Sequence, residues 1–228
     1  MIEPQASGES SPVPILLDAI EARILGSLIE KQATTPDAYP LTLNAVVTAC
    51  NQKSSRDPVS EHEPGEVGHA LRELEGKGLV TGSLAARASR YAHRFEVAYN
   101  VTTRQRALLG LLLLRGPQTI NELFLRSERL APFADAGEVR DVVERLSTRD
   151  PALVACVGRA SGQRDDRWMH LLCGPVTAVE PTATSSPDAT TQGATASLAE
   201  RVARLEALVD ALQAELIALR GSAPVPPD

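Results

Sequence analysis

Apolar residues in the first 170 positions recur at three- and four-residue spacings and then give way to short runs, twice in the same order. In "LDAIEARILGSLIEK", Ile20, Ile24, Leu25 and Leu28 fall on one helical face, with Asp18 placed to cap it. A second helix is predicted from Thr42, with Leu43, Val46, Val47 and Cys50 on its stripe, which makes Cys50 a small core residue. A third carries Val67, Ala70, Leu71 and Leu74 and ends near "EGKGLV", where Gly76 or Gly78 supplies a left-handed cap before Leu79 and Val80 enter a strand. A basic loop follows, and "RFEVAYNV" reads as the returning strand. The second series has helices from Thr103, Thr119 and Gly137, then strand "ALVACV", a loop and strand "RWMHLLC". Its middle helix opens on a capping box from Thr119 to Glu122.

The duplication is visible in letters as well as in period. "GEVGHALREL" from Gly65 matches "GEVRDVVERL" from Gly137 at an offset of 72, and "TLNAV" from Thr42 matches "TINEL" from Thr119 at 77. The pair Leu25-Gly26 recurs as Leu109-Gly110 at 84. The falling offset gives the first copy seven extra residues before its second helix and five more before its third.

Three helices closed by a two-stranded hairpin is the winged-helix plan. The chain is therefore read as mainly α with small β hairpins, an α+β protein, with two winged-helix domains in tandem at 16–101 and 102–174. The segments "EKQATTPDAYPLTLNAVVTACNQKSSRDPV", "LRGPQTINEL", "ERLAPFAD" and "HLLCG" resemble the YceH-like family of bacterial proteins over about residues 16 to 174. That resemblance implies a pair of winged helices and carries no catalytic residues. Two positions depart from the family pattern: Ser55 stands where Asn is expected and Trp168 where Tyr is usual.

The flanks differ in kind. Residues 1–15 and 221–228 read as disordered tails, and 175–197, rich in Thr, Ala, Ser, Pro and Gly, as a flexible linker. Beyond it Leu198, Val202, Leu205, Val209, Leu212, Leu216 and Leu219 form an unbroken a/d heptad seam over 198–220. Val at two a positions with Leu at every d favours a parallel pair, and Arg201 with Glu206 and Glu215 with Arg220 would face across it. The seam predicts a homodimer.

Composition narrows the chemistry. Aromatics are 3% of the 228 residues, so the core rests on aliphatic side chains, which suits packed helices. The opening lacks a signal-peptide pattern and "ALLGLLLL" is too short to span a bilayer, so the reading is a cytoplasmic protein with no membrane association. Three cysteines, Cys50, Cys156 and Cys173, form no CxxC pair; Cys156 and Cys173 are expected to face each other across the second hairpin as reduced thiols. The net charge of −6 lies wholly in residues 1–17 and 174–228, while 18–101 carries −2 and 102–173 carries +2. Neither half has the excess of a dedicated nucleic-acid binder.

Phosphate loops, dinucleotide fingerprints, nucleophile elbows and zinc-protease motifs are all missing, so neither catalysis nor a cofactor is expected. In "SEHEPGEVGH" the acids suit the start of a helix and His62 and His69 are expected to face solvent, so no metal is assigned there. The candidate binding surface is the first wing, "LAARASRYAHRF": Arg87, Arg90 and Arg94 surround Tyr91 and His93, with no acid from Thr81 to Phe95. Lys53 and Arg56 of "NQKSSRD" would extend it, and such a surface can grip DNA phosphates. The third helices oppose sequence reading, because Glu63, Glu66, Glu73 and Glu75 outnumber Arg72 and Lys77. Two functions therefore stand at this point: DNA binding through the first wing, or a protein–protein adaptor dimerised by its coil.

Overall fold

The computed structural model describes residues 15–85, 88–159 and 164–176. The heptad seam at 198–220, linker residues 177–197, tail residues 1–14 and 221–228, and Arg87 lie outside the described residues. Among the described residues the chain is an α+β protein of seven α-helices and two small antiparallel sheets.

The first series runs α1 (Ala19–Thr34), β1 (Leu41–Thr42), α2 (Leu43–Cys50), α3 (Pro64–Gly76), β2 (Val80–Ala85), β3 (Ala88–His93) and α4 (Phe95–Tyr99). The second runs α5 (Thr103–Arg115), β4 (Gln118–Thr119), α6 (Ile120–Ser127), α7 (Ala136–Thr148), β5 (Val154–Gly158) and β6 (Arg167–His170). Each sheet has the returning strand in its middle, in the orders β1-β3-β2 and β4-β6-β5. Side chains cap the starts: Asp18 and Glu21 form a reciprocal box on α1, Thr102 and Gln105 on α5, and Thr119 and Glu122 on α6. Equivalent caps sit at equivalent places, so Asp18 corresponds to Thr102, and Glu63 before α3 to Asp135 before α7. Gly78, at φ +71°, makes the left-handed exit from α3 that a side chain would strain.

Three expectations need correction. The stretch "FEVAY" is α4 and not strand: Phe95 and Tyr99, four apart, are both buried with ring centroids 4.7 Å apart, and Asn100 closes the turn at φ +48°. The return is made one step earlier, by "ASRYAH". Each hairpin also gains a third, two-residue strand, too short to leave a period in the sequence. Finally, Cys156 lies opposite Trp168, while Cys173 sits past the end of β6 with its thiol 3.9 Å from the Asp18 carbonyl. The sheet register separates the two sulfurs.

The two series share one apolar core. Helix α5 is buried along its whole run from Ala107 to Leu114 because α1 covers one side and α6 and α7 another. Where α1 and α5 cross, each contributes its repeated glycine. A Cβ on Gly26 would lie 2.8 Å from Leu114 Cγ, and one on Gly110 would lie 2.8 Å from Ile29 Cγ2. Backbone bonds add to the seam: the Leu17 N–H donates to Leu172 O at 2.8 Å and the Asp57 N–H to Leu114 O at 2.9 Å. The longer α2–α3 loop of the first copy thus packs onto the end of α5.

Candidate nucleic-acid interface

Alternation along β3 decides which residues of the first wing face outwards. Tyr91 and His93 point to the core side; Tyr91 is half-buried against it and His93 is buried. The Phe95 N–H donates to His93 Nδ1 at 3.3 Å, so Nε2 carries the proton and donates to Gln32 Oε1 at 2.9 Å. Burial, with Arg106 nearby, pushes the imidazole down to about 4. His93 is a neutral core residue, not a phosphate contact.

Arg56 is corrected in the same way. It is buried, and its guanidinium donates to both carboxylate oxygens of Glu30 (3.2 and 2.7 Å), to Gln52 Oε1 (3.1 Å) and to the carbonyls of Ala49 and Ser55 (both 2.9 Å). All five N–H groups have partners within the fold, and the pairing acid is Glu30 on α1. Burial alone would raise the Glu30 carboxyl, yet the Arg56 fork holds it below the usual carboxylate range.

Arg90 has a structural duty that the second copy repeats. Its Nη1 donates to the Pro40 carbonyl at 2.9 Å, and Arg167 Nη1 donates to the Pro117 carbonyl at 2.8 Å. Both arginines pin the entry of a two-residue strand to the middle of its sheet. Lys53 and Arg94 are exposed, but Arg94 lies at the hairpin base. Counting along β3 from the Ala85–Ala88 tip pair places it roughly 20 Å away at ~3.3 Å per residue. An acid also reaches the hairpin, for Glu75 Oε1 accepts from the Gly82 N–H at 2.7 Å. The predicted residues therefore do not gather into one cationic patch.

The second copy brings two arginines and two aspartates together at its equivalent face. A cavity of about 140 Å³ opens between the start of α6, the flank of α7 and the β5–β6 hairpin, lined by Ile120, Asn121, Arg140, Arg164, Asp165, Asp166 and Trp168. Arg140 and Arg164 are exposed, and neither pairs with another described residue, while Asp166 is engaged by Arg159 at 2.9 Å. Burial favours the neutral Glu122 carboxyl, but the Thr119 N–H and the Arg167 and Arg126 guanidiniums hold it below the usual range. Two open guanidiniums, an amide and a half-buried indole are parts that can hold a phosphodiester beside a base, with the exposed Asp165 carboxylate as the opposing charge. The first copy has Asn44, Gly68 and Tyr91 at the places of Asn121, Arg140 and Trp168, and so lacks the guanidinium from its third helix.

Sequence reasoning missed Asn121, Arg140 and Arg164; the signal that was available bears on the first wing instead. "RYAH" (90–93) and "RWMH" (167–170) repeat at the offset of 77 already shared by the second helices, which marks Arg90 and His93 as structural repeats. The other cluster, His62 and His69 with their glutamates, leaves His69 exposed and His62 half-buried. Among the described residues no group of three or more His, Cys, Asp or Glu side chains could hold a metal ion. No helix there is long and apolar enough to cross a membrane.

Helices, small antiparallel sheets and a paired cap pattern define an α+β protein with winged-helix-like parts. Residues 17–163 match the family described as "Protein of unknown function, DUF480", and the chain belongs to that family, as its resemblance to YceH-like proteins implies. It is 54% identical over 217 residues to UPF0502 protein Smlt0097 of Stenotrophomonas maltophilia, covering 94% of this chain and 99% of that one. It is 51% identical over 215 residues to UPF0502 protein xcc-b100_4348 of Xanthomonas campestris pv. campestris, covering 93% and 96%.

Proposed function

We propose that this chain is a non-enzymatic protein of two winged-helix units that binds nucleic-acid phosphates, with the second unit making the principal contact. The observation that carries this reading is the cavity where Arg140 of α7, Arg164 of the hairpin and Asn121 of α6 meet beside Trp168. The first wing, where Arg56 and His93 are committed to the core, has a secondary part through Arg94, Lys53 and Arg87. Residues 198–220 would join two chains, so that a weak site on each gains by avidity. The test is an anisotropy titration of a labelled random-sequence duplex at roughly 50 and 200 mM salt. Arg140→Gln with Arg164→Gln should weaken binding and lower the salt slope by about 2, one unit for each lost phosphate contact. An unchanged slope in that double variant rules the site out.

A further inference from the structure

A groove on the first copy lies elsewhere, between the start of α1 and α3. It has a volume of about 520 Å³ and is lined by Asp18, Ala19, Ile20, His62, Glu66, His69, Ala70 and Glu73. Its floor is apolar, from Ile20 and Ala70, and its rim holds three carboxylates with no lysine or arginine. The internal repeat offers a comparison. The matched caps make Ile20 equivalent to Arg104 and Glu66 equivalent to Glu138. In the second copy the Arg104 guanidinium pairs with Glu138 and stacks over the Phe133 ring, 5.7 Å from its centroid. There the glutamate is met by an arginine of the same chain.

The first copy keeps the glutamate and loses the arginine. Glu73 replaces Arg145 at the corresponding place on the third helix, so the rim carries acid where the second copy is balanced. A ring also lines the groove, because His62 is half-buried and its backbone is clasped by the Asn51 side chain (2.9 and 2.8 Å). Glu66 Oε2 accepts from the Glu63 N–H at 3.0 Å and lies 4.0 Å from His62 Nδ1, which leaves Oε1 facing the groove, and the Glu73 carboxylate is exposed.

We propose that this groove is a docking site for an arginine side chain presented by a partner polypeptide, its guanidinium between Glu66 and Glu73 and its methylenes over Ile20. The surface is distinct from the phosphate site of the second copy and makes the protein a two-faced adaptor. Its probe is an acetylated, amidated hexapeptide with one arginine among leucines, titrated into the ¹⁵N-labelled full chain, with the citrulline peptide as the uncharged isostere. Saturable shifts are expected at the amides of Ile20, His62, Glu66, His69, Ala70 and Glu73, with the citrulline peptide about tenfold weaker, the effect of one partly exposed charge pair. Ile20→Arg, which rebuilds the second copy's ion pair within the chain, should abolish the shifts. Glu73→Gln, at an exposed helix position, should weaken them without affecting the fold. Equal binding of the two peptides, binding that survives Ile20→Arg, or no saturable shift at the groove would each overturn the proposal, and the duplex titration above would be untouched by any of them.

Discussion

The paired histidines are the residues whose chemistry reaches furthest into stability. His93 and His170 hold the same place on β3 and β6, and burial pushes both down to about 4. An unfolded histidine titrates near 6.5, so on acidification the unfolded chain takes up protons first. Stability is whole above about pH 6.5 and is lost as pH falls towards 4, by up to about 3 kcal/mol for each histidine. Glu30 and Glu122, held low by their partners, lose their contribution only below the ordinary glutamate range, so the window above it belongs to the histidines. Urea midpoints at pH 7, 6 and 5 should fall for the natural chain and fall about half as far for His170→Leu, whose parent Nδ1 has no partner. A flat midpoint in the natural chain excludes the effect. Ser55 makes a second case: its φ of +61° is a left-handed conformation that Asn tolerates better, which explains why the family pattern leads one to expect Asn there. Ser55→Asn should raise stability by about 0.5–1 kcal/mol in thermal unfolding, provided the new amide also accepts from Arg115, as Ser55 Oγ does at 2.7 Å. What the sequence hid at this level is direction. Arg56 and Lys53 lie three residues apart in one loop, and only the fold turns one inward to Glu30 and leaves the other in water.

Among the elements, the crossing of α1 and α5 is the most exacting. Alanine normally improves a helix interior by about 1 kcal/mol over glycine, but at Gly26 and Gly110 the added carbon would press on Leu114 Cγ and Ile29 Cγ2 of the opposing helix, each at 2.8 Å. Gly26→Ala and Gly110→Ala should therefore each destabilise by roughly 1–3 kcal/mol in chemical denaturation. Gly65→Ala on α3, where nothing lies within 4 Å, should be neutral or stabilising, and a uniform gain at all three sites would refute the packing argument. The long helices were legible because caps, stripes and the repeated Leu-Gly pair all agree on them. Helix α4 was not, since five residues give too few turns for a period and "FEVAY" is rich in strand-favouring types. The same limit applies to the candidate interface. Asn121, Arg140 and Arg164 come from three elements and share a cavity only once β6 is registered against both β4 and β5.

Across the whole described body, the duplicated plan leads to a single buried apolar cluster. Two winged-helix domains in tandem could in principle unfold separately, each on its own core. Here Leu108, Leu109 and Leu112 of α5 and Leu25, Leu28 and Ile29 of α1 belong to one buried cluster, so parting the copies would expose the apolar faces of both leading helices. At roughly 25 cal/mol per Å² of apolar surface, exposing even a few hundred Å² is comparable with the entire stability of a small domain. The bonds Leu17 to Leu172, Asp57 to Leu114 and Arg149 to Tyr99 would break in the same event. Calorimetry should accordingly show one transition with equal calorimetric and van't Hoff enthalpies, and Gly110→Ala should move the whole of it to lower temperature. Two resolved transitions, with the variant displacing only one, would show that each copy holds together without the other. That outcome would also separate the phosphate face of the second copy from the arginine groove of the first. A single transition instead means that the two surfaces belong to one cooperative unit, so the face held by α1 and α3 and the face built by α7 and the second hairpin are lost together when either copy opens.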